Sequence, residues 1–180
     1  YQISENGSPL CIGGGVEIHK EGTNVDKANK EVTWTVSFVV PATGLDEAVV
    51  TDTYPMQWIN NEQIFEKVKE GTVTVTGLES GEDWNTAYNS DKAVITFTQN
   101  GQPGLRGTGT ARTITVTLKT EISSTWVEAS KTASYLTDHT NQVELYYGDV
   151  ITASATVKIA ANEVKKSSTA TSTRTEGDVE

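Results

Sequence analysis

Cysteine is almost missing from this chain. Cys11 stands alone, so no disulfide can close within the chain, and no Cys/His cluster has the spacing of a zinc site. With no cationic neighbours in view to activate its thiol, Cys11 reads as a small loop residue. A chain of 180 residues needs neither staple. It suits one domain of roughly 140 to 150 residues plus tails, which buries about two-thirds of its unfolded surface. Positive charge is also short, with 14 Lys and Arg against 24 Asp and Glu and a net charge of −10. That balance excludes nucleic acid as a partner, because nucleic-acid binding needs clustered cations to displace counterions. Long apolar runs are absent as well. Nothing approaches the roughly 18 residues of a membrane span, so no membrane contact is expected of this segment. Tyr1 rather than Met opens the chain, and the expectation is an excerpt of a longer protein whose export signal and anchor lie outside it.

What the sequence has in quantity is short runs of Val, Ile and Thr, at 16–20, 31–40, 47–54, 72–76, 93–98, 112–120, 141–147 and 151–159. Gly- and Asn-rich stretches such as GLESGEDWN and QNGQPGLRGTGT separate them. Alternation of period two, as in Val32, Trp34, Val36, Phe38 and Val40, or Ile114, Val116 and Leu118, marks strands with one buried face. The fold class that follows is all-β, an antiparallel β-sandwich over 16–160. Two connections, NNEQIFEKVKEG and SSTWVEASK, each open on a residue able to cap a helix and are expected to be short helical turns. Residues 1–15, with GGG at 13–15, read as a leader or the end of a preceding module. Residues 161–180 read as a linker or disordered tail with almost nothing to bury.

Three polar residues break the pattern from inside. Lys20 falls in phase with Val16 and Ile18, Asp52 with Ala48, Val50 and Tyr54, and Asn141 with Val143 and Leu145. All three therefore point to the core. A buried charge costs several kcal/mol unless it is paired or neutralised, so three such positions in one domain imply that they answer one another. Burial favours a neutral amine on Lys20, which is a nucleophile, and a protonated carboxyl on Asp52. That acid can hydrogen-bond the Asn141 carboxamide, polarising its carbonyl and later helping ammonia leave. The product would be an amide linking Lys20 to Asn141, formed without a cofactor or metal, with packing supplying the effective concentration. The plainer reading has Lys20 reach the sheet edge and pair with Asp52 while Asn141 bonds the backbone.

The order of these residues along the chain resembles a known family. Lys20 ends a first strand in IHKEG, VTWTVSF follows, Asp52 lies in AVVTDTYP before a proline, and TDHTNQVEL brings Asn141 late. This is similar to Gram-positive surface adhesin and pilin-like domains of the collagen-adhesin type. The resemblance implies a variant immunoglobulin fold carrying a self-formed Lys–Asn isopeptide bond, with Lys20 as nucleophile, Asp52 as proton shuttle and Asn141 as electrophile. It also implies a structural or adhesive module, monomeric within a multidomain chain, on the outside of the cell and anchored to the wall through a region beyond this excerpt. The partners implied are an extracellular matrix protein or another surface-protein domain. No residue is singled out for binding a ligand, and no sortase-type anchor motif occurs in the sequence.

Two other classes compete. A carbohydrate-binding sandwich would draw a stacking platform from Trp58, Trp84, Tyr88, Trp126, Tyr146 and Tyr147, with Trp84 in the polar stretch GEDWNTAY a candidate for exposure. An enzyme acting on an external substrate is not expected. His19 and His139 have no evident nucleophile partner, His139 in TDHTN reads as a polar turn residue, and no triad elbow is present. The acidic ESGED lacks the EF-hand pattern and reads as a solvated loop.

Overall fold

Residues 15–161 are described by the structure, a computed structural model. Cys11 and nearly all of the expected leader and tail lie outside those residues. In chain order the strands are β1 (Ile18–Asp26), β2 (Glu31–Val40), the two-residue β3 (Gly44–Leu45), β4 (Val49–Thr53), β5 (Met56–Ile59), β6 (Glu62–Phe65) and β7 (Thr74–Thr76). They continue with β8 (Glu82–Tyr88), β9 (Lys92–Gln99), the short β10 (Gln102–Pro103) and β11 (Leu105–Arg106), and β12 (Arg112–Glu121). A short helix, α1 (Ser124–Ala129), and a 3-10 turn at Ser134–Thr137 precede β13 (Asp138–Tyr146) and β14 (Val150–Lys158).

Two antiparallel sheets face each other. One has the order β1-β2-β12-β7; the other has β9-β4-β13-β14, with β8 and β10 both on β9. Their inner faces carry the alternating residues picked out in the sequence. Val32, Trp34, Val36 and Val40 of β2, Ile114, Val116 and Leu118 of β12, and Ala93, Ile95 and Phe97 of β9 are all fully buried. Each large side chain so removed from water is worth about 1.5–3 kcal/mol, which sets both the pairing and the register. Trp34 keeps its indole N–H satisfied in this setting by donating to Thr120 Oγ1 at 2.8 Å.

Gly22 matters for how the sheets close. Any Cβ there would collide with Val157 Cγ1 of β14 and crowd the Trp34 ring, so a glycine lets the first strand lie against the last. Lys27, just beyond β1, reinforces the closure by donating to the Ala160 carbonyl at 2.7 Å.

Of the two expected helical turns, one forms. α1 starts after Ser123, whose hydroxyl accepts the Trp126 N–H. The segment NNEQIFEKVKEG is instead half of a β-hairpin. Asn60 and Asn61 both have positive φ, 51° and 68°, and Ile59 pairs with Glu62 across them. Two left-handed residues in a two-residue loop make the tight primed turn that suits strand twist, and Asn adopts that conformation more readily than most residues. A further strand, β8, occupies GEDWNTAY, which the sequence pattern assigns to a loop.

Candidate cross-link site

Lys20, Asp52 and Asn141 come from three strands and meet between the sheets. β1 brings Lys20, opposite Val36 of β2, into the interior. β4 and β13 are neighbours in the facing sheet, where Asp52 lies opposite Val143. Asn141 is then the diagonal neighbour of Asp52, two residues along on the same face and within reach of its side chain. The side chains of Lys20 and Asp52 are entirely sequestered from solvent, and Asn141 is fully buried.

Asp52 joins the other two. Its Oδ2 accepts from Lys20 Nζ at 3.1 Å and its Oδ1 accepts from Asn141 Nδ2 at 2.9 Å. The second hydrogen of Nδ2 goes to the Thr53 carbonyl at 3.1 Å. Turned the other way, the carboxamide would set its oxygen against that carbonyl, so the backbone of β4 fixes which end faces Asp52. The face of Trp34 lies 5.5 Å from Lys20 Nζ. Burial lowers the Lys20 pKa and outweighs the opposing charge and hydrogen bond of Asp52. Burial likewise raises Asp52 above the usual carboxylate range, against the pull of Lys20 and Asn141. Both shifts favour the same exchange, a proton passing from ammonium to carboxylate to leave a neutral amine beside a neutral acid.

One expectation changes in detail. Asp52 faces the nitrogen of the Asn141 carboxamide and not its oxygen, so it is placed to protonate a departing amine and is not placed to polarise the carbonyl. Asn141 Oδ1 has no protein hydrogen-bond partner.

No protein-family model matches the sequence, and no curated protein matches it. The sandwich is similar to the pilus backbone RrgB of Streptococcus pneumoniae, with a TM-score of 0.51 and 16% identity over 73% of this chain. The fold is that of a pilin domain. It spans 31% of the length of the pneumococcal chain. The C-terminal domain of the AgI/II polypeptide BspA of Streptococcus agalactiae is similar at a TM-score of 0.50 and 13% identity, over 78% of this chain and 50% of that one. ACE19, the collagen-binding subdomain of the Enterococcus faecalis surface protein ACE, is similar over 79% of this chain and 95% of its own, at a TM-score of 0.44 and 10% identity.

The pilin-like fold has the immunoglobulin-like, two-sheet arrangement expected from the strand spacing. It also holds a second buried polar group that the sequence reading missed. His139 is not a turn residue: it is fully buried on the inner face of β13. Its Nδ1 is 2.7 Å from Glu66 Oε1, its ring stacks on Trp126 at 3.9 Å, and Glu66 Oε2 accepts from the Ser123 N–H at 2.7 Å. Glu66 follows β6 in the stretch mistaken for a helix. Within ESGED, Glu82 is likewise no solvated loop residue. Its side chain is buried and takes two hydrogen bonds from Arg112, at 2.9 and 2.7 Å.

The six aromatic residues weighed as a sugar platform do not form one. Trp126 is buried, and Trp84, Tyr88 and Tyr147 pack partly onto the core. Trp58 and Tyr146 are exposed but lie in different sheets, on β5 and β13. Among the described residues no cluster of three or more His, Cys, Asp or Glu is placed to hold a metal ion.

Proposed function

We propose that this chain is a load-bearing structural or adhesive module of a bacterial surface protein, stiffened by an amide bond that Lys20 and Asn141 form with each other. The observation that carries the reading is the bridging of Asp52, one oxygen on the nucleophile nitrogen and the other on the leaving nitrogen, in a site without solvent access. Asp52 takes a proton from the Lys20 ammonium. The freed Nζ lone pair adds to Asn141 Cγ, and the carbonyl electrons move to Oδ1. Nζ then returns a proton through Asp52 to Nδ2, the Cγ–Nδ2 bond breaks, and ammonia leaves as the carbonyl reforms. Asp52 ends protonated, keeping the one proton it first took from the ammonium. This is self-modification in a single turnover, with no external substrate.

Location outside the cell and service beside other surface-protein domains belong to the same proposal, supported by the pilus-backbone fold. A matrix protein remains the candidate ligand class for the adhesive form of the module.

The test is the intact mass of the purified, denatured chain. Cross-linking expels ammonia and leaves the chain about 17 Da lighter than its sequence, a deficit that Lys20→Ala and Asp52→Ala each abolish. A folded chain at full mass refutes the reading.

A further inference from the structure

Two buried polar atoms on β13 lack a protein partner: Asn141 Oδ1 and His139 Nε2. Buried polar atoms are seldom left unpaired, so each calls for an explanation. The two side chains are two residues apart on the inward face of one strand, so they project to the same side as neighbours, and a single water between their heads would pair both.

The chemistry of the two atoms matches that arrangement. Both oxygens of Glu66 accept, one from the Ser123 N–H and the other from the imidazole. With a carboxylate at Glu66 the hydrogen of the Glu66–His139 contact sits on Nδ1, and in that tautomer of the imidazole Nε2 is the acceptor. Asn141 Oδ1 is an acceptor too. A water between two acceptors gives one hydrogen to each. The imidazole that would hold it is itself held, by Glu66 at 2.7 Å and by the stack on Trp126 with the planes 16° apart.

We propose that His139 is a positioning residue for the amide-forming step, holding a water whose second hydrogen points at Asn141 Oδ1. This rests on the cross-link reading above and supplies what that reading lacks. When Lys20 Nζ adds to Cγ, negative charge gathers on Oδ1, and Asp52 has both its oxygens committed to nitrogen atoms. A preset donor at that oxygen is usually the largest single aid to acyl transfer. No proton needs to move to Oδ1. The hydrogen bond strengthens as the carbonyl opens and relaxes as it reforms, and the water is unchanged.

The experiment times the reaction. Wild type, His139→Phe and His139→Gln are made by cell-free synthesis, aliquots are denatured at intervals, and the fraction lighter by about 17 Da is read by mass spectrometry, with near-UV circular dichroism reporting the fold. Phe keeps the stack on Trp126 and removes the acceptor. His139→Phe is expected to cross-link at least about tenfold more slowly while folded. Gln places a carboxamide near the position of Nε2, and His139→Gln is expected to recover much of the rate. Should His139→Phe fail to fold with Glu66 left unpaired, the same comparison is made between Glu66→Gln and Glu66→Gln/His139→Phe. Folded His139→Phe reacting at the wild-type rate overturns the proposal, as do Phe and Gln variants that are folded and equally slow. In either case the wild-type mass deficit leaves the cross-link standing, whereas a wild type at full mass removes both.

Discussion

Asp52 is bonded to both of its partners, through Oδ2 to Lys20 and through Oδ1 to Asn141, and this makes it the residue whose change disturbs the trio most. Asp52→Asn has nearly the same shape but cannot take up and return a proton, so the chain is expected to keep its full mass. It should also unfold more readily than Lys20→Met, although both lack the cross-link. In Asp52→Asn the Lys20 amine stays buried without an acid, a situation that costs about 3–5 kcal/mol, whereas Lys20→Met replaces the amine with apolar volume beside an Asp52 that burial already inclines to be neutral. Urea unfolding of the two variants gives the order, and equal stabilities would mean that Asp52 does not carry Lys20 energetically. The trio was legible in the sequence because strand phase alone assigns a residue to a face, and Lys20, Asp52 and Asn141 each sit inside a clear alternation. Glu66 and His139 were not. Glu66 lies just past a strand that its neighbours disguise as a helix, and His139 begins β13 among Asp138, Thr140 and Asn141, where polar neighbours hide the inward phase.

Among the elements, β8 shows how an edge strand without a strong apolar stripe is secured. Its inward positions are Glu82, Trp84, Thr86 and Tyr88, so hydrophobic burial contributes less than in β2 or β9. Glu82 makes up part of the difference by reaching Arg112 at the start of β12, in the opposite sheet, and by accepting from the Glu79 and Arg106 backbone N–H groups at 2.8 and 2.9 Å. Burial pushes the Glu82 carboxyl up, but the hydrogen bonds from Arg112, Glu79 and Arg106 together outweigh it and hold the group below the usual carboxylate range. A depressed native value means that the unfolded chain binds the proton more readily. The stabilisation is therefore complete above the unfolded carboxyl value of about 4.3 and is lost as pH falls through the lower native value. In a Lys20→Met background, Glu82→Gln is expected to cost about 1–3 kcal/mol at pH 7 and to flatten the acid limb of the stability profile. An unchanged loss of stability between pH 5 and pH 3 would assign that limb to other carboxylates. The sequence pattern gave no strand here for the same reason that the ion pair is needed: the inward face carries one aromatic at each of two positions and polar groups at the others. The hairpin of β5 and β6 was hidden differently, since its turn signal, Asn60–Asn61, is also an acceptable helix start.

At the scale of the whole molecule, the position of the cross-link decides what a pulling force can reach. β1 is an edge strand at the start of the sandwich and β13 lies near its end, so an amide between Lys20 and Asn141 closes everything from residue 20 to residue 141 into one loop. On the disulfide analogy, closure of a loop that long removes unfolded-state entropy worth about 4 to 5 kcal/mol. The mechanical effect is larger than the thermodynamic one. Load entering through β1 passes across the amide into β13, and what stays open to peeling is Ile18 and His19 ahead of the amide, the remainder of β13 and all of β14, the last held by the β13 ladder and by its contact with Gly22. Pulled from its two ends, the wild-type chain should give up those terminal residues and nothing from the interior. Lys20→Met should release the interior as well, a gain of roughly 400 Å in contour length at about 3.3–3.6 Å per residue. Single-molecule force spectroscopy reads that difference directly. A wild-type chain that extends as far as the variant would show that the strands between residues 20 and 141 carry the load themselves, and that the buried trio serves the core alone.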